Sequence, residues 1–268
     1  MPLPIKLIST DFDGTLHTEF EEPRVPAALQ RLIGGLQARG AKWVINTGRD
    51  RPSLLDALSA ARLSIRPDYL VTVEREIHFH DGAEFVEVTE WNDRCTDEHA
   101  ALFRRIEADL PELVAWVEER RLAMVYADEF SPFCILGRSN ADTDVVQEFV
   151  EAYCRGVSGL TFVRNDVYAR FSHAAYNKGT ALAEVARRLG VAREHIFAAG
   201  DHFNDLPMLS NEFARWLVAP ANAMPAVKDA VRRQRGFVSE EPFGHGVARG
   251  LEHCLKGENR VVPADGTD

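Results

Sequence analysis

The chain has 268 residues, 46% of them hydrophobic and 27% charged, enough for one large domain or for a core with a smaller insert. Its formal charge of −10 excludes a nucleic-acid backbone as the main partner, because counterion release needs a basic face. No apolar run reaches the roughly 20 residues that span a bilayer, the start of the chain has no signal-peptide pattern, and four cysteines without a C-x-x-C pair exclude a disulfide framework; the expected setting is the cytoplasm, with reduced and mostly buried thiols.

Short apolar runs alternate with helical patterns in the first third, the rhythm of parallel βαβ units. Ile5 to Thr10 predicts a strand ending on Asp11. Val25, Leu29, Leu32, Ile33 and Leu36 recur at helical spacing, with Gly40 as the stop. Trp43 to Ile45 predicts a second strand, ending at Thr47; a helix opened by Pro52 and carrying Leu54, Leu55, Leu58 and Ala61 leads to a third strand at Tyr69 to Val73.

From Arg75 the rhythm changes. Ile77 to His80 and Glu84 to Val88 alternate around Asp81-Gly82, a hairpin signal. A helix is expected from Thr96, kinked or interrupted at Pro111, then strands at Leu122 to Tyr126 and Phe133 to Leu136, a helix from Ala141 to Tyr153, and strands at Thr161 to Val163 and Val167 to Phe171. Hairpins with helices set among them predict an α+β insert over residues 75–177. Leu102, Ile106, Leu113 and Trp116 are its expected core. The βαβ rhythm resumes at Lys178 with a helix, a strand at Ile196 to Ala199, a short helix, a strand at Trp216 to Val218 and helices near Pro225 and Gly246. Residues 1–74 and 178–268 thus form an α/β core, a Rossmann-like doubly wound parallel sheet, and the polar tail from Glu258 to Asp268 is expected to fray.

Ligands of open parallel sheets sit outside the carboxyl ends of the strands, and four motifs fall at strand ends or at a helix start. They are Asp11-Phe12-Asp13-Gly14-Thr15, Thr47-Gly48-Arg49, Lys178-Gly179 and Gly200-Asp201-His202-Phe203-Asn204-Asp205. Gathering Asp11, Asp13, Asp201 and Asp205 is costly through mutual repulsion unless a hard divalent cation joins them, and Mg²⁺ takes such oxygen ligands together with a substrate phosphate. The alternative for each aspartate is capping a turn beside glycine. Lys178 opposes a helix macrodipole, which an anion held there would offset, and Thr47 with Gly48 offers a hydroxyl and an open backbone N–H for phosphate oxygens.

In this order the four stretches resemble the motifs of the haloacid dehalogenase superfamily of phosphohydrolases, over Pro4 to Val73 and Lys178 to Leu255. Ala219-Pro220-Ala221-Asn222-Ala223 is similar to the segment that follows the acidic motif there. An insert between the threonine and lysine motifs corresponds to a type C2 cap of the Cof-like (IIB) members. Thr72-Val73-Glu74-Arg75-Glu76-Ile77 resembles the sucrose-phosphatase-like branch, while the Asn-Gly-Ala stretch of many relatives is absent.

The resemblance implies a phosphatase acting on a small phosphorylated metabolite such as a sugar phosphate, as a monomer or homodimer, with Mg²⁺ as cofactor. Asp11 would be the nucleophile and Asp13 the general acid and base, with Thr47 and Lys178 holding the transferring oxygens. Mg²⁺ would be bound by Asp11, the Asp13 carbonyl and Asp201, with Asp205 and Asn204 in support. Gly48, Arg49 and Asn204 complete the expected substrate contacts. The alternatives are a phosphomutase of the phosphomannomutase type and a non-catalytic phosphate-binding protein.

Arg49 has a second reading as a structural ion pair, and His202 as loop filler rather than a lining of the site. His78 and His80 share a strand face; without a third ligand they are expected on an exposed strand of the insert. Arg75, Trp91, Arg138, Arg164 and Arg170 of the insert could reach a polyhydroxylated or anionic substrate by stacking or bidentate bonds, the alternative for each being a surface or packing role.

Overall fold

The computed structural model describes residues 3–257, so the expected fraying of Glu258 to Asp268 lies outside the described residues. The chain runs β1 (Leu7–Thr10), α1 (Ala27–Gln37), β2 (Lys42–Asn46), α2 (Arg51–Ala61) and β3 (Tyr69–Thr72). It continues with β4 (Glu76–His80), β5 (Phe85–Glu87), α3 (Thr89–Ile106), α4 (Leu110–Glu119), β6 (Ala123–Tyr126), β7 (Cys134–Gly137), α5 (Asn140–Cys154), β8 (Leu160–Asn165) and β9 (Tyr168–His173). The last part is α6 (Lys178–Leu189), β10 (Ile196–Ala199), β11 (Trp216–Ala219), α7 (Pro225–Arg233), β12 (Phe237–Val238) and α8 (Phe243–Gly257).

Eight strands form the large sheet in the order β12-β11-β10-β1-β2-β3-β4-β5. All pairings from β12 to β3 are parallel, and β3-β4 and β4-β5 are antiparallel. All four residues of β1 are buried, as expected of a strand covered on both faces. One face packs on α1, α2 and α8 through Leu29, Ile33, Leu54, Val247 and Leu251. The other packs on α3, α6 and α7 through Trp91, Leu182, Val185, Val227 and Val231. This is the doubly wound α/β core expected from the alternating rhythm.

The second sheet has the order β6-β7-β9-β8 and is antiparallel throughout. Its Ile135, Phe133, Ala169, Phe171 and Phe162 pack with α3, α4 and α5 through Leu102, Ile106, Leu113, Val146 and Val150, and Trp116 is partly buried there. Cys95, Cys134 and Cys254 are buried free thiols, and Cys154 is a half-buried one.

The structure differs from the pattern reading in three places. The hairpin β4-β5 extends the edge of the large sheet rather than joining the second one, because Val73 and Glu74, both at positive φ (44° and 68°), turn the chain straight back beside β3. Its His78 is therefore buried at 2% exposure, with Nε2 3.1 Å from the Thr72 hydroxyl, not on an exposed strand of the insert. Finally, α3 starts at Thr89, seven positions before the expected Thr96, since Trp91 and Cys95, four residues apart on one helix face, are buried in the large core. That helix spans both lobes: its first half packs under the large sheet and its second half under the small one.

Candidate active site

Strand order decides which motifs meet. β1 lies between β10 and β2, so Asp11, just after β1, is flanked by the loop after β10 with Asp201 and the loop after β2 with Thr47. Helix α6 delivers Lys178 from the face below. Its start is fixed by Asn177, whose side chain accepts the Gly179 and Thr180 amides at 2.9 and 3.1 Å while Thr180 Oγ1 accepts the Asn177 amide at 3.0 Å. Gly179 is required there: a Cβ would lie 2.6 Å from the Pro207 carbonyl oxygen.

Lys178 is fully buried and donates from Nζ to Asp11 Oδ1 at 2.6 Å and to Asp205 Oδ1 at 2.5 Å. The other oxygen of Asp205 accepts the backbone amides of Asp201 and His202 at 2.8 and 2.9 Å, which folds the acidic loop around its own last residue. Thr15 donates to Asp201 Oδ1 at 2.5 Å. Gly14, at φ +78°, leaves room for that carboxylate, since a Cβ would sit 2.6 Å from Asp201 Oδ2.

Carboxylate oxygens of Asp11, Asp201 and Asp205 all lie within 4.8 Å of one another. Burial first, then the Asp205 charge, pushes the Asp11 carboxyl well above its ordinary range against the pull of Lys178. Asp201 is pushed up to about 7, again by burial and then by Asp205. Burial works against the charge on Lys178, but Asp11 and Asp205 outweigh it and raise its pKa. Hard oxygen donors crowded to this degree, with one ammonium for three carboxylates, are a donor set that a small divalent cation fits.

The Asp13 carboxylate stands apart from this cluster. It is 40% exposed and accepts two bonds from Arg49, 2.6 Å from Nε and 2.8 Å from Nη2. Burial raises its pKa, but nearby His17, with Nδ1 3.7 Å away, and the hydrogen-bonded Arg49 prevail and hold it at about 2. Arg49 is thus engaged in an ion pair. Thr47 is buried, and its hydroxyl accepts the Arg49 amide at 3.2 Å.

Glu74, to which its sequence motif assigns no role, ties the site to the small sheet. Its carboxylate accepts Asn204 Nδ2 at 2.9 Å and Arg170 Nη2 at 3.2 Å, and it stands against Gly48, whose added Cβ would be 3.3 Å away. Two successive non-glycine residues in the left-handed region are the strain that aims it, and nothing in the letters Val73-Glu74 announces that conformation.

The arginines of the insert are committed to protein contacts. Arg164 donates to Asp144, Gln147, Asn140 and the Asp166 carbonyl. Arg170 also bonds the Val73 carbonyl at 2.8 Å, Arg75 that of Phe130 at 3.0 Å, and Arg138 that of Arg121 at 3.3 Å. Trp91 is buried, with its indole N–H on the Arg75 carbonyl. Instead, a cavity of about 510 Å³ opens between the lobes beside Lys178, lined by Glu74, Gln147, Thr161, Asn177 and Asn204 among others.

A family model described as haloacid dehalogenase-like hydrolase matches residues 119–251. The 5-amino-6-(5-phospho-D-ribitylamino)uracil phosphatase YcsE of Bacillus subtilis is 23% identical over 271 residues, covering 94% of this chain and 96% of that protein. A second B. subtilis phosphatase of the same description, YitU, is 32% identical over 130 residues, 43% of this chain and 46% of its own. Among solved structures, the sucrose-phosphatase of Synechocystis in complex with sucrose and phosphate superposes with a TM-score of 0.69 at 16% identity, over 95% of this chain and 99% of that one. The chain belongs to the haloacid dehalogenase-like hydrolases. Within them it is a phosphatase. Among the described residues no helix is long and apolar enough to cross a membrane.

Proposed function

We propose that the chain is a Mg²⁺-dependent, cytoplasmic phosphatase that hydrolyses a small phosphomonoester, a sugar phosphate or similar polyol phosphate, through a phospho-aspartate on Asp11. The observation that carries this reading is the buried carboxylate of Asp11 at the end of the central strand, within 4.8 Å of Asp201 and Asp205 and bonded to Lys178. The core, residues 1–74 and 178–268 with the β4-β5 hairpin on its sheet edge, supplies the chemistry, and the remainder of the insert, residues 75–177, selects the substrate through its four-stranded sheet.

Asp11 attacks phosphorus in line, forming the acyl phosphate bond as the bond to the leaving oxygen breaks. Asp13 gives that oxygen a proton, then takes one from the water that cleaves the phospho-aspartate, so phosphate leaves and both aspartates are restored. The acid half of this cycle requires Asp13 to turn away from Arg49, which holds it as a carboxylate. Lys178, Thr47, the Gly48 amide and Asn204 hold the transferring oxygens. Asp11, Asp201 and the Asp13 carbonyl would hold Mg²⁺, with Asp205 bracing them, and the ion would neutralise charge on the phosphoryl oxygens.

The cavity is lined by amides, a hydroxyl, one carboxylate and two cations, Lys178 and Arg164, that are already paired within the protein, which suits a neutral, hydroxyl-rich leaving group rather than a second phosphate. The likeness to phosphatases of a phosphorylated ribityl compound supports the same substrate class.

The test is release of inorganic phosphate, with Mg²⁺ present, from p-nitrophenyl phosphate and a panel of sugar and polyol phosphates. Asp11→Asn is expected to fold normally and lose at least about a thousandfold in kcat, as removal of a nucleophile does. Near-wild-type turnover by that variant, or phosphoryl return to sugar only with a bisphosphate activator, would overturn the reading.

A further inference from the structure

His202 lies inside the acidic loop, between Asp201 and Asp205, yet its side chain reaches across to the other lobe. Its Nε2 accepts the backbone amide of Asp166, at the β8-β9 turn, at 3.0 Å. The accepting nitrogen carries no proton, so the ring is the neutral tautomer with hydrogen on Nδ1.

The turn that donates is built to hold this pose. Asp166 is in the left-handed region at φ 55°, its carbonyl accepts Arg164 Nε at 2.7 Å, and its carboxylate accepts Asn140 Nδ2 at 2.8 Å. Arg164 also fixes Gln147 Oε1 at 2.9 Å, and both residues line the cavity between the lobes. On the core side the backbone amide of His202 donates to Asp205 Oδ2, and Asp205 Oδ1 accepts Lys178, which also bonds Asp11. Hydrogen bonds on either side of His202, one to its ring and one from its backbone amide, therefore join the turn of the small lobe to the nucleophile.

We propose that His202 is a positioning residue that clasps the β8-β9 turn of the small lobe onto the acidic loop, coupling closure of the cavity over the leaving group to the alignment of Asp205 and Lys178 behind Asp11. This rests on the reading of the site as a phosphatase centre, but the clasp itself has a readout that needs no turnover. The acceptor is the feature that matters: glutamine can supply one from a similar position, and phenylalanine keeps the ring shape without it.

Three proteins decide it: wild type, His202→Phe and His202→Gln, with His202→Ala in place of the phenylalanine variant if that one does not fold. Hydrogen exchange of the 164–168 amides reads the clasp, and steady-state kinetics on ribitol 5-phosphate and p-nitrophenyl phosphate read the coupling. In His202→Phe, exchange of this segment is expected to speed up by about fivefold, the worth of one hydrogen bond, while amides of β1 stay as protected as in wild type. KM for ribitol 5-phosphate is expected to rise by about the same factor with a smaller fall in kcat, KM for p-nitrophenyl phosphate to move less, and His202→Gln to recover most of both losses. Unchanged exchange of the turn in His202→Phe overturns the clasp, and equal losses on both substrates overturn the coupling. If wild type releases phosphate from neither ester, the phosphatase reading falls, and the exchange experiment still decides whether the clasp exists.

Discussion

At the carboxyl edge of the large sheet three carboxylates converge on a single buried ammonium, whereas in the small lobe Arg164 has every nitrogen matched to an oxygen of Asp144, Gln147, Asn140 or Asp166. The two regions treat buried charge in opposite ways. Around Arg164 charge is neutralised and hydrogen-bonded in place, so it orders a turn and asks for nothing further. At the sheet edge an excess of negative charge is kept on elements too well packed to move apart, and such an imbalance persists only where a ligand or cation completes it.

The sharpest way to break that comparison is Lys178→Met. Removing its ammonium leaves Asp11 and Asp205 buried and facing each other, and should cost about 3–5 kcal/mol in metal-free buffer, the range for breaking a buried pair. Denaturant unfolding measures it. A loss under about 1 kcal/mol would mean that the cluster is not held together by charge.

A smaller effect of the same origin is expected from the metal. Mg²⁺ at a hundred times its dissociation constant should raise stability by about 2.7 kcal/mol, seen as a higher melting temperature that excess chelator reverses. Asp201→Asn should lose most of that rise. A melting temperature indifferent to Mg²⁺ in wild type would remove the cation from the account of this edge.

Much of this arrangement is legible in the letters. Parallel strands deliver their following residues to one edge, so Asp11, Thr47 and Asp201 at the ends of three apolar runs had to meet, and Lys178 at a helix start had to find anions; it found Asp11 and Asp205. What stayed hidden is contact between distant segments. The first half of α3, Glu90 to Arg94, is polar except for Trp91, and its Asn92 is buried because the side-chain amide bonds both the N–H and the carbonyl of Ile77, a long-range pairing no helical period reveals. Likewise the turn at Val73-Glu74 depends on tertiary contacts that hold strained backbone, and the engagement of Arg49 with Asp13 depends on two loops whose approach only the folded sheet sets.

The smallest effect separates the two regions by the sign of their response to acid. Asp201 has a pKa raised to about 7, so between its ordinary value near 3.8 and 7 the folded protein binds a proton that the unfolded chain does not, and acidification favours the folded state there. His99, on the α3 helix that both lobes share, behaves the other way. It is buried at 3% exposure, sits 2.7 Å from the Cys95 carbonyl through Nδ1, and accepts the His173 amide at 3.0 Å on Nε2. Burial, with the nearby Arg75 charge second, holds its pKa down to about 3. Between about 3 and the ordinary 6.5 the unfolded chain takes up a proton that folded His99 refuses, so its share of stability is complete above pH 6.5 and lost as pH falls, by about 2 kcal/mol from pH 7 to 5. Urea unfolding at those two pH values, in wild type and His99→Phe, isolates this share. The difference between pH values is taken within each protein, so hydrogen bonds lost in the variant cancel, and the contribution of Asp201 is common to both. The variant should lose about 2 kcal/mol less than wild type on acidification. Equal losses would mean that the buried imidazole takes up its proton in the folded state.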